Sequence, residues 1–147
     1  MVTEHKYDLL QLEKQSCFSL YSAANAMVRA YRTALLELDL TYPQYVTMMV
    51  LWDEDGISVK ALGEMIHMDS GTTTPMLKRL EAKGLLQRVR CKQDERSCLL
   101  HLTDEGRALK EQAVLIPQKM AENPVLTDAE SAELKRLSDK LRAGLSQ

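Results

Sequence analysis

The chain has 147 residues, the span of one domain, and its 45% hydrophobic and 27% charged residues supply a core and exclude wholesale disorder. Six glycines, one phenylalanine and one tryptophan, beside eight methionines and runs of Leu, Ala, Lys and Glu, favour helices over a sandwich or barrel. The net charge of −2, taken as an average, argues against a nucleic-acid partner, and the three cysteines sit at no zinc or disulfide spacing; with no apolar leader and no run long enough to span a bilayer, a reduced, cytoplasmic chain without a membrane segment is expected.

From about Leu10 to Leu38, the residues Cys17, Leu20, Tyr21, Ala24, Val28, Tyr31, Leu35 and Leu38 recur at three- and four-residue steps, which predicts one long amphipathic helix. Thr41 with Gln44 three residues on, and Pro43 in the first turn, caps a second helix from Tyr45 to about Trp52. The acidic turn Asp53-Glu54-Asp55-Gly56 ends it, and Ser58 caps a short third helix holding Leu62, Met65 and Ile66. Asp69-Ser70-Gly71-Thr72 reads as a tight turn, and Thr73 to Lys83 as a fourth helix stopped by Gly84. Two short helices joined this way form a helix-turn-helix signature, although ordinary helical proteins carry such pairs too.

Leu86 to Arg90 and Ser97 to Leu102 are strand-like and enclose the polar loop from Lys92 to Arg96, so a β-hairpin follows the fourth helix. Thr103 caps a long helix that runs past Ile116 with a kink at Pro117. Thr127 with Glu130 is a capping box for a last helix, striped by Leu134, Leu137, Leu141 and Leu145. No linker or repeat divides the chain. The expected fold is mainly α with a small β-hairpin wing.

The charge is unevenly placed. Between Ser70 and Cys98, seven bases (Lys78, Arg79, Lys83, Arg88, Arg90, Lys92, Arg96) face three acids (Glu81, Asp94, Glu95), giving +4 against −6 elsewhere. A charge run is ordinarily a solvated face, but this one coincides with the helix and hairpin that would have to touch duplex DNA. The segment holds no aromatic residue, so it lacks the stacking platform of single-strand and RNA binders. Ser70, Thr72, Thr73 and Thr74 lie near the start of the fourth helix, where hydroxyls and free amides favour phosphate or base edges. Arg96 at the hairpin tip can reach a minor groove, or pair with Asp94 or Glu95.

These residues resemble the MarR family of winged-helix transcription regulators, and within it the OhrR-like, organic-hydroperoxide-sensing branch. The resemblance rests on LEKQSCFSLY (12–21), LTYPQYVTMMVLW (40–52), DSGTTTPMLKRLE (69–81), DERS (94–97) and LTDEG (102–106). It implies one MarR-type domain over residues 1–147, with dimerisation helices at about 10–40 and 104–147 and a DNA-binding winged helix at about 42–102. It also implies a homodimeric repressor, not an enzyme, that grips a pseudo-palindromic double-stranded DNA operator. By the same resemblance Ser70, Thr72, Thr74, Lys78 and Arg79 belong to the helix side of that grip, and Arg88, Arg90, Asp94 and Arg96 to the wing, with Asp94 orienting Arg79.

Cys17 lies four residues before Tyr21, so the two side chains share a helix face. Such a cysteine is ordinarily an inert small hydrophobe; a sensing one must ionise, and tyrosine hydroxyls can supply donors to the thiolate without adding charge. The resemblance implies that tyrosines equivalent to Tyr31 and Tyr42 approach Cys17 from the opposite subunit and that organic hydroperoxides are the inducers. Two-cysteine relatives carry a resolving cysteine near the C-terminus, whereas this chain has none after Cys98. A one-cysteine cycle is therefore expected, with the sulfenate capped by a low-molecular-weight or protein thiol or carried on to irreversible acids. Cys91 and Cys98 read as ordinary strand residues. No cofactor is expected, and His5, His67 and His101 form no metal-ligand cluster. Release by a small phenolic ligand with Cys17 merely structural, and a thiol peroxidase, are the competing readings.

Overall fold

The computed structural model describes residues 6–94 and 97–146. They form two compact units, divided between Ile116 and Pro117.

In the first unit, the long N-terminal helix is shorter than the periodicity predicts. Helix α1 is Ser16–Ala34, preceded by 3₁₀ turns at Asp8–Leu10 and Leu12–Lys14 and followed by one at Leu36–Leu38. Its N-terminal end is set by Gln15, whose side chain folds back to donate to the carbonyls of Leu9 and Gln11 instead of capping the helix. At the other end Asp39 adopts φ 52°, the left-handed region, which turns the chain so that Leu35, Leu38 and Leu40 enter the core. None of the α1 residues is buried.

Helix α2 (Tyr42–Asp53) starts a turn earlier than expected because the capping box closes as its residues require. Thr41 Oγ1 accepts from the Gln44 N–H (3.4 Å), and Gln44 Oε1 accepts from the Thr41 N–H (3.1 Å). Ser58 caps α3 (Val59–Ile66) by accepting from the Ala61 N–H at 3.0 Å. The segment expected to be a tight turn is instead the cap and first turn of α4 (Ser70–Ala82): Asp69 Oδ1 accepts from the Thr72 N–H at 2.9 Å. An aspartate cap satisfies a free amide and places negative charge at the positive end of the helix, which outweighs the turn preference of Ser-Gly. Gly84, at φ 76°, ends α4, with its N–H on the Glu81 carbonyl and the Leu85 N–H on that of Leu80.

Strands β1 (Leu86–Arg90) and β2 (Cys98–Leu102) pair antiparallel, with Leu86 opposite Leu102 and Arg90 opposite Cys98. Strand β2 begins one residue later than expected. Leu100 extends the ladder to the α2–α3 connection, donating to Ile57 and accepting from Gly56. Leu35, Met48, Leu51, Leu62, Leu77, Leu80, Leu86, Leu100 and Ile116 are sealed inside, so the hairpin, α2 and the helix-turn-helix share one core.

The long helix after Thr103 is broken into α5 (Asp104–Ala108), α6 (Lys110–Ala113) and α7 (Leu115–Ala121). The break at Val114 precedes the expected kink because Pro117 lacks an N–H and its ring crowds the carbonyl four residues back, that of Ala113. Trp52 Nε1 donates to the Gly106 carbonyl at 2.8 Å, pinning α2 to α5. Gly106 is required here: a Cβ would lie 2.0 Å from the Leu85 carbonyl oxygen.

In the second unit, helix α8 (Asp128–Leu145) carries the expected capping box, Thr127 with Glu130. Leu134, Leu137, Leu141 and Leu145 are all exposed along it, while Arg136 pairs with Glu133 and Lys135 with Asp139. Among the described residues no helix is long and apolar enough to cross a membrane.

Candidate functional site

Two clusters, both in the first unit, gather the residues singled out by the sequence. The first is the face of α4 and the wing. Thr73, Met76, Leu77 and Leu80 take the buried face of α4, which leaves Ser70, Thr72, Lys78 and Arg79 exposed and Thr74 half-buried at the edge. Thr73, one of the hydroxyls expected near a nucleic acid, is buried and donates to the Asp69 carbonyl at 3.1 Å.

On β1, Arg88 and Arg90 share a face by strand alternation. Arg90 is exposed, while Arg88 is turned onto α4. Its backbone N–H donates to Glu81 Oε2 at 2.9 Å, and its Nη2 and Nε donate to Oε1 at 3.1 and 3.3 Å. These bonds, the backbone one first, hold the Glu81 carboxyl below the ordinary carboxylate range. Asp94 closes the wing turn, accepting from Ser97 Oγ at 3.1 Å, and no described contact joins it to Arg79. Arg96 lies outside the described residues. Lys83 is engaged with the α1–α2 corner, so two of the seven bases, Arg88 and Lys83, are tied to protein groups. Lys78, Arg79, Arg90 and Lys92 stand exposed without an acidic partner among the described residues. The surplus of positive charge on this surface thus comes from fewer side chains than the bare count suggests.

The second cluster lies at the two ends of α1. Cys17 is its second residue and is exposed, with Tyr21 exposed one turn later. No side chain caps this end, so the first-turn amides of α1 are left without a side-chain acceptor beside the thiol. Tyr31 lies at the other end and packs against α2, its ring centroid 4.8 Å from that of Tyr42 and 6.1 Å from that of Tyr45. Burial and the neighbouring Tyr31 push the phenols of Tyr42 and Tyr45 above the ordinary value of 10.0, so both stay protonated donors at neutral pH.

Tyr45 is the residue sequence reasoning missed. It sits four residues past the Thr41 cap and reads there as an ordinary core position. Fourteen residues separate Cys17 from Tyr31, about 21 Å along one helix, so a single chain does not bring the thiol to the tyrosines. Cys91 and Cys98 are half-buried free thiols, Cys91 directly after β1 and Cys98 at the start of β2; the Cys91 N–H pairs with the Ser97 carbonyl and Arg90 stands opposite Cys98, so the two cysteines are not cross-strand partners.

A family model described as transcriptional regulator SarA/Rot matches residues 29–113. The organic hydroperoxide resistance transcriptional regulator of Bacillus subtilis (strain 168) is 48% identical over 114 residues, covering 78% of each chain. The HTH-type transcriptional regulator MgrA of Staphylococcus aureus is 36% identical over 135 residues, 91% of this chain and 92% of MgrA. Among solved structures, reduced AbfR bound to DNA aligns with a TM-score of 0.80 at 29% identity, covering 95% of this chain and 99% of that one. Overoxidized AbfR bound to DNA gives 0.79 at 30% identity, covering 94% and 98%; AbfR is a protein of Staphylococcus epidermidis.

Proposed function

Because the chain belongs to the MarR family of winged-helix transcriptional regulators, we propose that it is a homodimeric repressor released from a pseudo-palindromic duplex operator when an organic hydroperoxide oxidises Cys17. The observation that carries this reading is the separation of about 21 Å along α1 between an exposed thiol and a corner of three packed tyrosine rings. Only a second copy with α1 running the opposite way can bring the two together. The uncovered apolar surface fits that arrangement: no α1 residue is fully buried, and Phe18, Leu20 and Met27 on it are exposed, as is the leucine stripe of α8.

The chemistry follows from this pairing. The Cys17 thiolate attacks the distal peroxide oxygen; a sulfur–oxygen bond forms as the O–O bond breaks, the alkoxide takes up a proton and leaves as an alcohol, and the sulfur, oxidised by two electrons, becomes a sulfenic acid. Hydroxyls of the partner's Tyr31 and the partner's Tyr42 donate to the thiolate and lose that acceptor once the sulfur carries oxygen. Condensation with a small thiol then gives a mixed disulfide and water. AbfR is described on DNA in both reduced and overoxidized forms, so release is assigned here to the sulfenic or capped state and not to the higher acids.

For DNA, α4 enters the major groove by its N-terminal end, with Ser70, Thr72 and Thr74 near the backbone and bases and Lys78 and Arg79 beside them. Arg90 and Arg96 serve on the wing; Arg88 supports it by bracing β1 on Glu81, and Asp94 by shaping its turn. The test uses a duplex selected by the reduced protein from a random-sequence library. One equivalent of cumene hydroperoxide is expected to release it from the wild-type protein and not from Cys17→Ser. Equal release from both would refute the reading. A second reading, release by a small phenolic acid, is favoured by an open cavity of about 270 Å³ lined by Val28, Arg32, Leu36, Tyr42, Pro43 and Lys83. Salicylate in place of the hydroperoxide separates the two.

A further inference from the structure

We propose that Lys83 is a positioning residue that transmits the state of the tyrosine corner to the recognition helix α4. The inference rests on the redox reading above and goes beyond it by naming the link. Lys83 terminates α4, its N–H on the Arg79 carbonyl at 3.0 Å. Its side chain crosses to the α1–α2 corner, where the ammonium donates to the Asp39 carbonyl and to Gln44 Oε1 (3.3 Å) and lies 3.6 Å from the Asp39 carboxylate.

Gln44 is buried, and the oxygen that accepts Lys83 is the one that accepts the Thr41 N–H and closes the first turn of α2. That turn carries Tyr42, and Tyr45 follows Gln44 directly; both rings pack on Tyr31. One amide oxygen therefore serves the cap of the tyrosine-bearing helix and the anchor of the DNA-reading helix. The other anchor is the carbonyl of Asp39, the residue held at φ 52° that ends the α1 segment. Lys83 thus reads one backbone carbonyl, that of Asp39, and one side-chain amide, that of Gln44, on either side of Tyr42.

A hydrogen bond from the Thr47 hydroxyl to Met76 Sδ at 3.6 Å also joins α2 to α4, but it is buried and Thr47 donates at 2.9 Å to the Pro43 carbonyl of its own helix, so water has no access to exchange with it. Lys83 is open to such exchange. It borders the open cavity beside Tyr42 and Pro43, and its side chain is 30% exposed, so water can replace any of its acceptors. The Asp39 carboxylate, 89% exposed, contributes little orientation, which leaves the carbonyl and the Gln44 amide as the directing contacts. Displacement of Tyr42 moves both acceptors, and the end of α4 is then released to a second arrangement, as a two-state element requires. Lys83 lies thirteen residues from Ser70, about 20 Å along the helix, so it acts far from the end that enters the groove.

The test compares wild type, Lys83→Met, Lys83→Arg and Cys17→Ser on the library-selected duplex, before and after one equivalent of cumene hydroperoxide, at two salt concentrations. Wild type should lose affinity about tenfold or more on oxidation, within the usual range of coupling between sites. Lys83→Met should bring the oxidised-to-reduced ratio of Kd close to one with an unchanged salt slope, and Lys83→Arg should restore part of it. A wild-type ratio in Lys83→Met overturns the proposal, as does equal weakening of both states with a lower salt slope, which would mark a phosphate contact. If Lys83→Met does not fold, Lys83→Gln is judged by the same ratio. Should wild type itself ignore the oxidant, the redox reading fails and this coupling fails with it; a sensitive wild type with a sensitive Lys83→Met rejects the coupling alone.

Discussion

Replacing Glu81 with alanine removes the acceptor of three hydrogen bonds from Arg88, at 2.9, 3.1 and 3.3 Å, which fasten the wing strand to the recognition helix. A fully buried pair broken in this way would cost about 3 to 5 kcal/mol. Here the Arg88 and Glu81 side chains are 28% and 37% exposed, so water re-solvates the orphaned groups and the expected loss is about 1 to 2 kcal/mol. For a chain of this size that lowers Tm by about 3 to 8 °C. The loss should depend on pH. Because the folded state holds the Glu81 carboxyl below its ordinary value of 4.5, the contribution is complete above that pH and disappears as pH falls through the lower folded value. Thermal melts of both proteins should therefore separate at pH 7 and converge in acid. Binding to duplex DNA should weaken in Glu81→Ala because the wing is less firmly placed. If Tm stays unchanged while affinity rises and its salt dependence steepens, Arg88 is a phosphate contact restrained by Glu81, and the bracing argument is wrong.

Gly106→Ala places a methyl where the Leu85 carbonyl oxygen already lies, 2.0 Å from the ideal Cβ, and backbone there cannot yield cheaply; a loss of about 2 to 4 kcal/mol is expected in a denaturant titration. Leu100→Ala, at a fully buried site shared by the wing and the core, should cost about 2 to 5 kcal/mol in the same assay. Lys78→Ala or Arg90→Ala should leave stability within about 0.5 kcal/mol and reduce the salt slope of DNA binding by about 2 in a dimer, one phosphate per subunit. Tyr42 and Tyr45 should ionise above 10.0 in an ultraviolet titration. Because the folded values are raised, the associated stability is present below that pH and is lost as pH rises through them.

Much of the fold is written locally. The Thr41–Gln44 and Thr127–Glu130 boxes, the Ser58 cap and the Gly84 stop are each set by residues within one turn of one another, and all stand where the pattern puts them. The pattern misleads where a distant group or a choice between two local preferences decides. Periodicity alone extends α1 to Leu38, because Leu35 and Leu38 keep the helical spacing; that Asp39 turns left-handed, and that Lys83 from another helix takes its carbonyl, is not a local signal. Asp69-Ser70-Gly71-Thr72 has turn composition, yet the aspartate cap and the burial of Thr73 draw it into α4.

Composition, caps and periodicity act over a few residues, so the helix-turn-helix followed by a hairpin, the basic segment across them, and the cysteine and tyrosines of the α1 region are legible in the chain. Packing settles which of these side chains are available. It turns Arg88 onto Glu81 and Lys83 onto Asp39 and Gln44, adds Tyr45 to the packed, mutually tilted rings, and sets Cys17 at the far end of α1 from them. The reason is physical: a cation or a ring takes its role from partners brought near by packing, and those partners lie up to 58 positions away along the chain.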